Sequence, residues 1–425
     1  MKKFALLSAA LVTSFSLLCC GGGTHITLPP SALTTRVLAS QSVSSLTSSP
    51  GLIVVNGELD TLAHASEIGA GSSPGLMAIS PQRATLLVFD SATNAISIVN
   101  TKTETMTGTI QLPGSTTSMV AVSNSTGYAA VPTAPLIGSA PGAVEVMDLP
   151  TDLITATIGV PSAQTVVSSP SGNQLLVFSN DSNIVTVVSP LVQNTGVPLA
   201  STVVGFDRPV YAVFSSDGST AYILNCGAEC GGTQASVQTL TLATLTLGTP
   251  VPVDAATVAL LNGSTLYVAG TPATKNSCTG QTTAATTCGR LDIVDLGSMA
   301  VTGSVVITDG YHDRIDISNN GQLFIGSHTC TNIGNVNNVT GEVRGCLSIF
   351  DTTKPGNTTA VIPPDNGDVT GLQSFSTRFV EYVAEGGNLR VYDTTIDSLL
   401  LNSFISTGTI TITGQIIDVK AVDFF

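Results

Sequence analysis

Charged residues, and basic residues above all, are scarce in this chain of 425 residues. Only 10% of the residues are charged, and 14 Lys and Arg stand against 28 Asp and Glu, which gives a net charge of −14. A chain with so few cations has no basic stripe for phosphate contacts, which argues against nucleic-acid binding. Disordered chains combine low hydrophobicity with high charge, whereas here Val, Ile and Leu recur in short runs. The composition therefore predicts a folded protein.

The first twenty residues, MKKFALLSAALVTSFSLLCC, place two lysines before an apolar run that ends at Leu18. This run is too short to span a bilayer and is typical of a signal peptide. The letters LLCCGGG that close it resemble the lipobox of bacterial lipoproteins, which implies that Cys20 is acylated. The alternative is an ordinary secretory signal whose two cysteines are removed.

We therefore predict a signal peptide at residues 1–19 and a lipidated N-terminus with a flexible linker at residues 20–34. Export would place the protein in a bacterial cell envelope, as an outer-membrane lipoprotein or at the cell surface. The membrane would then be a partner through the lipid anchor.

After this segment one unit recurs, and nothing sustains a helical period. One copy is PGLMAISPQRATLLVFDSATNAISIVNTKTETMTGTIQL, residues 74–112, and later copies open at AQTVVS, RPVYAV, ATVALL and DRIDIS. Each copy alternates apolar and polar residues over four short stretches separated by polar turns. The copies start about 43 to 58 residues apart, which is close to the spacing of propeller blades. The pattern predicts an all-β fold, a β-propeller of four-stranded antiparallel blades.

The two ends of the repeat region complete each other. Residues 35–68 supply the second, third and fourth strands of a blade, and residues 414–425 supply a first strand. We expect one blade to be shared between the termini, with its innermost strand from the C-terminus, because such closure removes exposed strand edges. This gives one domain over residues 35–425 with eight blades; seven blades remain the alternative if one of the longer units is misassigned.

The repeats resemble a known family. The hairpins SSDGSTAYIL, SPSGNQLLVF and SPQRATLLVF, and the third strands ending SIFDTT and RVYDTT, are similar to the YVTN-type β-propeller repeat of bacterial surface proteins and lactonase-type propellers. The resemblance covers roughly residues 35–425 and implies the propeller fold more strongly than any activity. Tryptophan is absent, which argues against WD repeats and quinoprotein propellers, whose blades dock through tryptophan.

Aspartate or asparagine recurs where the third strand of a blade ends. Both side chains accept hydrogen bonds from backbone amides two residues on and so initiate turns. We interpret these residues as serving the shape of the turn; they are Asn56, Asn100, Asp148, Asp295, Asp351 and Asp393.

Loop lengths differ between the two faces of the predicted ring. Because neighbouring strands are antiparallel, loops between strands two and three and between blades share one face. That face carries the long segments 132–143, 226–234, 271–289 and 328–346, while the other is predicted to carry only short turns. Such clustering is typical of a binding face and predicts a protein or small-molecule partner there. Drift in tolerated surface loops is the alternative.

Six cysteines of the mature chain lie in these long loops, two in each of three loops. Their intervening spacings of three, nine and fifteen residues match no zinc pattern, and an exported protein meets an oxidising compartment. We therefore predict no metal, and disulfides between neighbours in each loop. The pairs are Cys226 with Cys230, Cys278 with Cys288, and Cys330 with Cys346.

The most polar cluster is YHDRIDIS, where the chain enters the first strand of a blade at the mouth of the central channel. His312, Asp313 and Arg314 stand together there, and Asp207 and Arg208 occupy the equivalent entry of another blade. Converging arginines can hold a carboxylate or phosphate, so these five residues are candidate binding residues. The alternative is an Arg–Asp pair that only positions the loop.

Two functions follow from these features. The first is an envelope-anchored binding or interaction scaffold that acts through the face with the long loops. The second is a lactone hydrolase at the channel mouth, using His312 with Asp313 or Arg314. The chain has no GxSxG or HExxH motif and no identifiable acid–base set, so the scaffold is favoured. No cofactor is predicted.

Overall fold

The computed structural model describes residues 29–42, 51–189, 199–274, 287–331, 343–364, 367–401, 408–410 and 414–423, and leaves out the side chains of residues 64–66. The predicted signal peptide and Cys20 lie outside these residues, so export and lipidation stay predictions. Within the described ranges no helix is long and apolar enough to cross a membrane.

The described residues form thirty-three β-strands and one short 3-10 helix, Gly227–Cys230. The first fifteen are β1 (Arg36–Ser42), β2 (Gly51–Asn56), β3 (Thr61–Ile68), β4 (Pro74–Ile79), β5 (Thr85–Asp90), β6 (Ala95–Asn100), β7 (Thr105–Gln111), β8 (Ser118–Ala121), β9 (Thr126–Val131), β10 (Ala143–Asp148), β11 (Leu153–Gly159), β12 (Ala163–Ser168), β13 (Leu175–Ser179), β14 (Ile184–Ser189) and β15 (Leu199–Val204). The others are β16 (Pro209–Phe214), β17 (Thr220–Asn225), β18 (Ser236–Thr241), β19 (Thr246–Leu247), β20 (Val251–Pro252), β21 (Val258–Asn262), β22 (Thr265–Gly270), β23 (Gly289–Asp295), β24 (Ala300–Ile307), β25 (Tyr311–Ile317), β26 (Gln322–His328), β27 (Leu347–Asp351), β28 (Val369–Ser374), β29 (Val380–Glu385), β30 (Asn388–Asp393), β31 (Ser398–Leu399), β32 (Thr409–Ile410) and β33 (Gln415–Ala421).

The strands form eight antiparallel sheets, which we call blades 1 to 8. Blade 1 has the order β33-β1-β2-β3 from the inside outwards, and the others are β4–β7, β8–β11, β12–β15, β16–β20, β21–β24, β25–β27 and β28–β32. The innermost strands contact one another in ring order, and β28 contacts β33, which contacts β4. The eight-bladed propeller with a shared closing blade is therefore confirmed, and the seven-bladed alternative is wrong.

Burial on both sheet faces explains why the strands have unbroken apolar runs such as LLVF. In β5, Leu86 packs with Leu38 of blade 1, while Leu87 on the opposite side packs with Met147 of blade 3. Each such aliphatic side chain contributes about 1.5–3 kcal/mol when fully buried. The hydrophobic core is therefore a series of eight clusters that hold neighbouring blades face to face.

The interface between blades 8 and 1 also contains a buried ion pair. The two terminal nitrogens of Arg378 each lie 2.7 Å from an oxygen of Asp60, and the hydroxyl of Tyr382 donates to the same carboxylate. Asp60 lies in the turn after β2, and Arg378 lies in the turn before β29. This bidentate contact joins the two blades that meet where the ring closes.

Blade 7 departs from the predicted four strands. Its three strands are followed by an isolated bridge, in which Ile349 and Val361 exchange two backbone hydrogen bonds of 2.8 Å. Pro355 and Gly356 precede this segment and Pro363 follows it, and such residues interrupt a ladder. The fourth position of this blade is therefore filled by a short irregular segment.

The Asp and Asn residues that end third strands cap the following turn, as predicted. Asn56 and Asn100 each accept a 2.9 Å bond from the amide two residues on, and Asp351 accepts the same bond from Thr353. Burial tends to raise the pKa of Asp351, but Lys354 and Thr353 oppose it and lower the pKa to about 2. Asp351 is a turn residue and lies away from the long loops.

The strand order places the connections between the described strands as expected. Connections between second and third strands, including segments 226–235 and 329–346, share one face with the connections between blades; we call it the long-loop face. The opposite face, which we call the short-turn face, was predicted to carry only short turns. Residues 190–198, between β14 and β15, lie outside the described residues, so that prediction is not tested there.

Candidate functional site

A ring of β-bulges surrounds the channel mouth on the long-loop face. The innermost strands of five blades each skip one residue in their pairing near the start of the strand. A bulge leaves that residue unpaired and redirects its side chain. The skipped residues are all half-buried; they are Gln164, Val210, Asp313, Thr370 and Ile417.

Asp313 is thus the bulge residue of blade 7, and Arg314 and His328 both contact it. Arg314 Nη1 donates to Asp313 Oδ2 at 2.9 Å, and His328 Nε2 lies 3.0 Å from the same carboxylate. Arg314 Nε also donates to the carbonyl of Thr370, the bulge residue of blade 8, at 2.7 Å. The predicted pair of Asp313 and Arg314 is therefore assembled at the mouth, with His328 as a third member.

His328 has a carboxylate at each ring nitrogen. Nε2 contacts Asp313, and Nδ1 lies 3.7 Å from Asp368 Oδ2. The hydrogen bond to Asp313 raises the pKa of His328, while burial opposes this. Nε2 is therefore held by the hydrogen bond to Asp313, and Nδ1 faces a second carboxylate beyond hydrogen-bond distance.

His312 is placed differently from the prediction. Its side chain is fully buried, and its ring lies against Gly289 of blade 6, where an added Cβ would come within 2.7 Å of the ring. Burial lowers the pKa of His312 to about 4, against the opposing effects of the Thr308 backbone and Asp313. Neither ring nitrogen makes a hydrogen bond of normal geometry to the described residues. His312 therefore packs blade 7 against blade 6 and does not face the channel.

Asp207 holds the disulfide loop of blade 5. It accepts backbone hydrogen bonds from Thr233 at 2.9 Å and from Gln234 at 2.8 Å. Burial raises its pKa, but these bonds and the one from the Thr233 hydroxyl outweigh burial and lower it. This is the loop-positioning role that the sequence left open as the alternative.

Arg208 lines a cavity of about 370 Å³ beside the mouth. Its Nη1 lies 3.5 Å from Asp181 Oδ1, and the Asp181 side chain is 90% exposed. Tyr311 and the bulge residue Gln164 line the same cavity. A loose ion pair leaves the guanidinium accessible to an incoming acidic group, so this cavity suits a polar ligand with a carboxylate or phosphate.

Tyr311 and Glu229 add two groups that the sequence did not single out. Burial, with the charges of Asp313 and Glu229, raises the pKa of Tyr311 to about 12. Burial also raises the pKa of Glu229 to about 7, against the hydrogen bond donated by the Thr271 amide. The mouth therefore presents a neutral phenol and a carboxyl that titrates near neutral pH.

Disulfides close two of the long loops at this face. Cys226 bonds to Cys230 and Cys330 bonds to Cys346, with 5.6 Å between the Cα atoms in each pair. These two predicted pairings are confirmed. Cys278 lies outside the described residues, so its pairing with Cys288 stays a prediction.

At the opposite end of the channel, the side formed by blades 4 to 7 is apolar. A cavity of about 910 Å³ opens there between blades 4 and 7, lined by Val213, Leu260, Leu261 and Ile315 among others, and none of its lining residues is charged. The charged groups of the long-loop mouth therefore have no counterpart in this cavity.

No group of three or more His, Cys, Asp or Glu side chains suited to a metal ion occurs within the described ranges.

No protein-family model matches the chain, and no curated protein matches it. Among solved structures, it is similar to the dihydro-heme d1 dehydrogenase NirN in complex with DHE, with a TM-score of 0.61 and 9% identity over 92% of this chain and 75% of that one. It is also similar to a Bacteroides uniformis protein assigned as a 6-phosphogluconolactonase, with a TM-score of 0.53 and 12% identity over 91% and 99% of the two chains. At these identities the likeness shows a shared β-propeller fold.

Proposed function

We propose that this protein is an exported, lipid-anchored propeller of the YVTN-repeat type that binds a partner protein through its long-loop face. The large hydrophobic side chain with the greatest exposure in the described ranges, Ile137, projects from a loop of that face. The disulfides at Cys226–Cys230 and Cys330–Cys346 hold two other loops of the same face. Constrained loops lose less conformational entropy when they bind, which favours affinity.

The observation that carries the proposal is the pairing of His328. A hydrolase of this kind needs a base that can accept a proton from water. Both nitrogens of His328 face carboxylates, and His312 is buried away from the channel. Among the described residues the mouth therefore offers no imidazole without a carboxylate partner, and its paired charges suit recognition of a charged group.

A photo-cross-linking amino acid at position 137 tests this proposal in cells that produce the full chain. The matched control carries the same amino acid in place of Ile396, which is exposed on the short-turn face. We expect one discrete protein adduct from position 137 and none from position 396. Equal adducts from both positions, or none from either, would contradict a partner on the long-loop face.

The second candidate is a lactone hydrolase, since a protein assigned as a 6-phosphogluconolactonase shares the fold over nearly its whole length. In that case His328 with Asp313 replaces the originally predicted His312. The test is hydrolysis of 6-phosphogluconolactone by the purified chain and by His328→Gln. The scaffold proposal predicts the uncatalysed rate for both, and turnover that collapses in His328→Gln would favour the enzyme.

Membrane attachment has its own test. The proposal predicts that the wild-type chain fractionates with membranes and that Cys20→Ser does not. Retention of the variant in the membrane fraction would contradict the lipid anchor.

A further inference from the structure

The segment that precedes β1 lies on the short-turn face. The amide of Ser31 donates to Glu104 Oε2 at 2.8 Å, in the turn between β6 and β7. The amide of Gly57 donates to the carbonyl of Thr35 at 2.8 Å, in the turn between β2 and β3. Both turns join third strands to fourth strands, so the chain enters the propeller from the short-turn side.

The distance to the proposed anchor is short. The nine peptide units between Cys20 and Pro29 span at most about 30 Å when fully extended. To reach the long-loop face, the linker would have to pass along the whole height of the ring. A seven-residue strand such as β1 is about 23 Å long, so this path would use about 23 Å of that span. A lipid on Cys20 therefore holds the short-turn face near the bilayer. The remaining linker is too short for the long-loop face to reach the bilayer instead.

Three exposed apolar side chains project from adjoining turns on this face. They are Leu59 after β2, Phe379 before β29 and Ile396 after β30. The turns touch: the amide of Thr394 donates to the carbonyl of Phe379 at 3.0 Å, and the neighbouring Arg378 binds Asp60. The same turn after β2 holds the entry segment, because Glu58 accepts a 2.9 Å bond from Thr34. The apolar patch therefore lies where the tether leaves the ring.

The charges around the patch favour lipids whose headgroups carry no net negative charge. Glu58, Asp393 and Asp397 flank it, and Lys354 is paired with Asp351 at 2.8 Å. An acidic rim is repelled by an anionic lipid surface, whereas zwitterionic headgroups carry no net charge. The patch is thus suited to a zwitterionic bilayer.

We propose that the patch of Leu59, Phe379 and Ile396 rests on a zwitterionic phospholipid surface, so that the long-loop face points away from the membrane. This inference rests on the proposed lipid anchor. It fixes which face of the disc is free for a partner.

Tryptophan is absent from the chain, so one introduced tryptophan reports on one position. Phe379→Trp reports on the patch, and Ile137→Trp is the matched control on the long-loop face. The lipidated full chain is reconstituted in phosphatidylcholine vesicles that contain a dansyl-labelled headgroup lipid, and energy transfer from tryptophan to dansyl is measured. We expect several-fold stronger transfer from position 379 than from position 137.

Flotation of the vesicles separates the two hypotheses. Flotation that is unchanged in Cys20→Ser overturns the anchor and the orientation together. Flotation that requires Cys20, combined with equal transfer from positions 137 and 379 or stronger transfer from 137, overturns the orientation alone. Stronger transfer from 379 with Cys20-dependent flotation supports both.

Discussion

Replacing Arg378 with methionine should destabilise the propeller strongly, because it leaves the Asp60 carboxylate buried without its cation. The Asp60 side chain is only 1% exposed, and the Arg378 side chain is 25% exposed. Breaking a buried ion pair from one side costs about 3–5 kcal/mol. The partial exposure of Arg378 lets some water reach the site, so we expect a loss near the lower end, about 3 kcal/mol.

Arg208 provides a matched control. Its side chain is equally exposed, at 25%, but its partner Asp181 is 90% exposed, and the pair is 3.5 Å apart. Arg208→Met should therefore cost less than about 1 kcal/mol, as surface pairs do. The free energy of unfolding is measured by urea titration followed by circular dichroism, with the shift in midpoint converted through the slope.

A second variant separates charge from packing. Asp60 has a left-handed backbone with φ of 58°, which asparagine tolerates, so Asp60→Asn keeps the turn. Combined with Arg378→Met, it removes the uncompensated charge, and most of the lost stability should return. The reasoning is refuted if Arg378→Met costs no more than Arg208→Met, or if the double variant is no more stable than Arg378→Met alone.

Three further predictions concern the long-loop face and the closing strand. The double variant Cys330→Ser with Cys346→Ser should lose about 3 kcal/mol, because the bridge closes a loop with a separation of 16 residues; an unchanged thermal melt would contradict this. His328 has a raised pKa in the folded state, so its pairing with Asp313 stabilises fully below pH about 6.5 and loses that effect as pH rises through the folded pKa. The stability difference between wild type and His328→Gln should therefore shrink from pH about 6 to about 9, and a difference that grows over this range would disprove the assignment. Removing residues 414–425 deletes two fully buried aliphatic side chains of β33 and should cost at least about 3–6 kcal/mol, measured as a fall in the melting temperature; an equal melt would refute closure by this strand.

The fold was predictable because its signals are local. Period-two alternation marks each strand, and residues such as Asn100 and Asp351 mark the turns, so the blades could be counted along the chain. The fourth strand of blade 7 was less predictable. The apolar residues before Pro363 suggest a strand, whereas Pro355 and Gly356 interrupt the ladder and only a bridge forms.

The site was predictable only where its members are neighbours in sequence. Asp313 and Arg314 stand side by side, and both reach the mouth. His312 is buried because a bulge at Asp313 shifts the strand and because Gly289 of the preceding blade leaves space for its ring. Asp368 and Glu229 approach from loops of other blades, and no pattern within one blade indicates that they meet there.

The shared blade has a consequence for the order in which the protein can be completed. A chain emerges from the ribosome N-terminus first, so β1, β2 and β3 exist long before β33 is made. Until residues 415–421 arrive, β1 lacks its inner partner, and β4 and β28 have no strand between them. The disulfides at Cys226–Cys230 and Cys330–Cys346 each lie within one blade and need no such wait. Blades can therefore mature one after another, but the ring cannot close until residues 415–421 have been made.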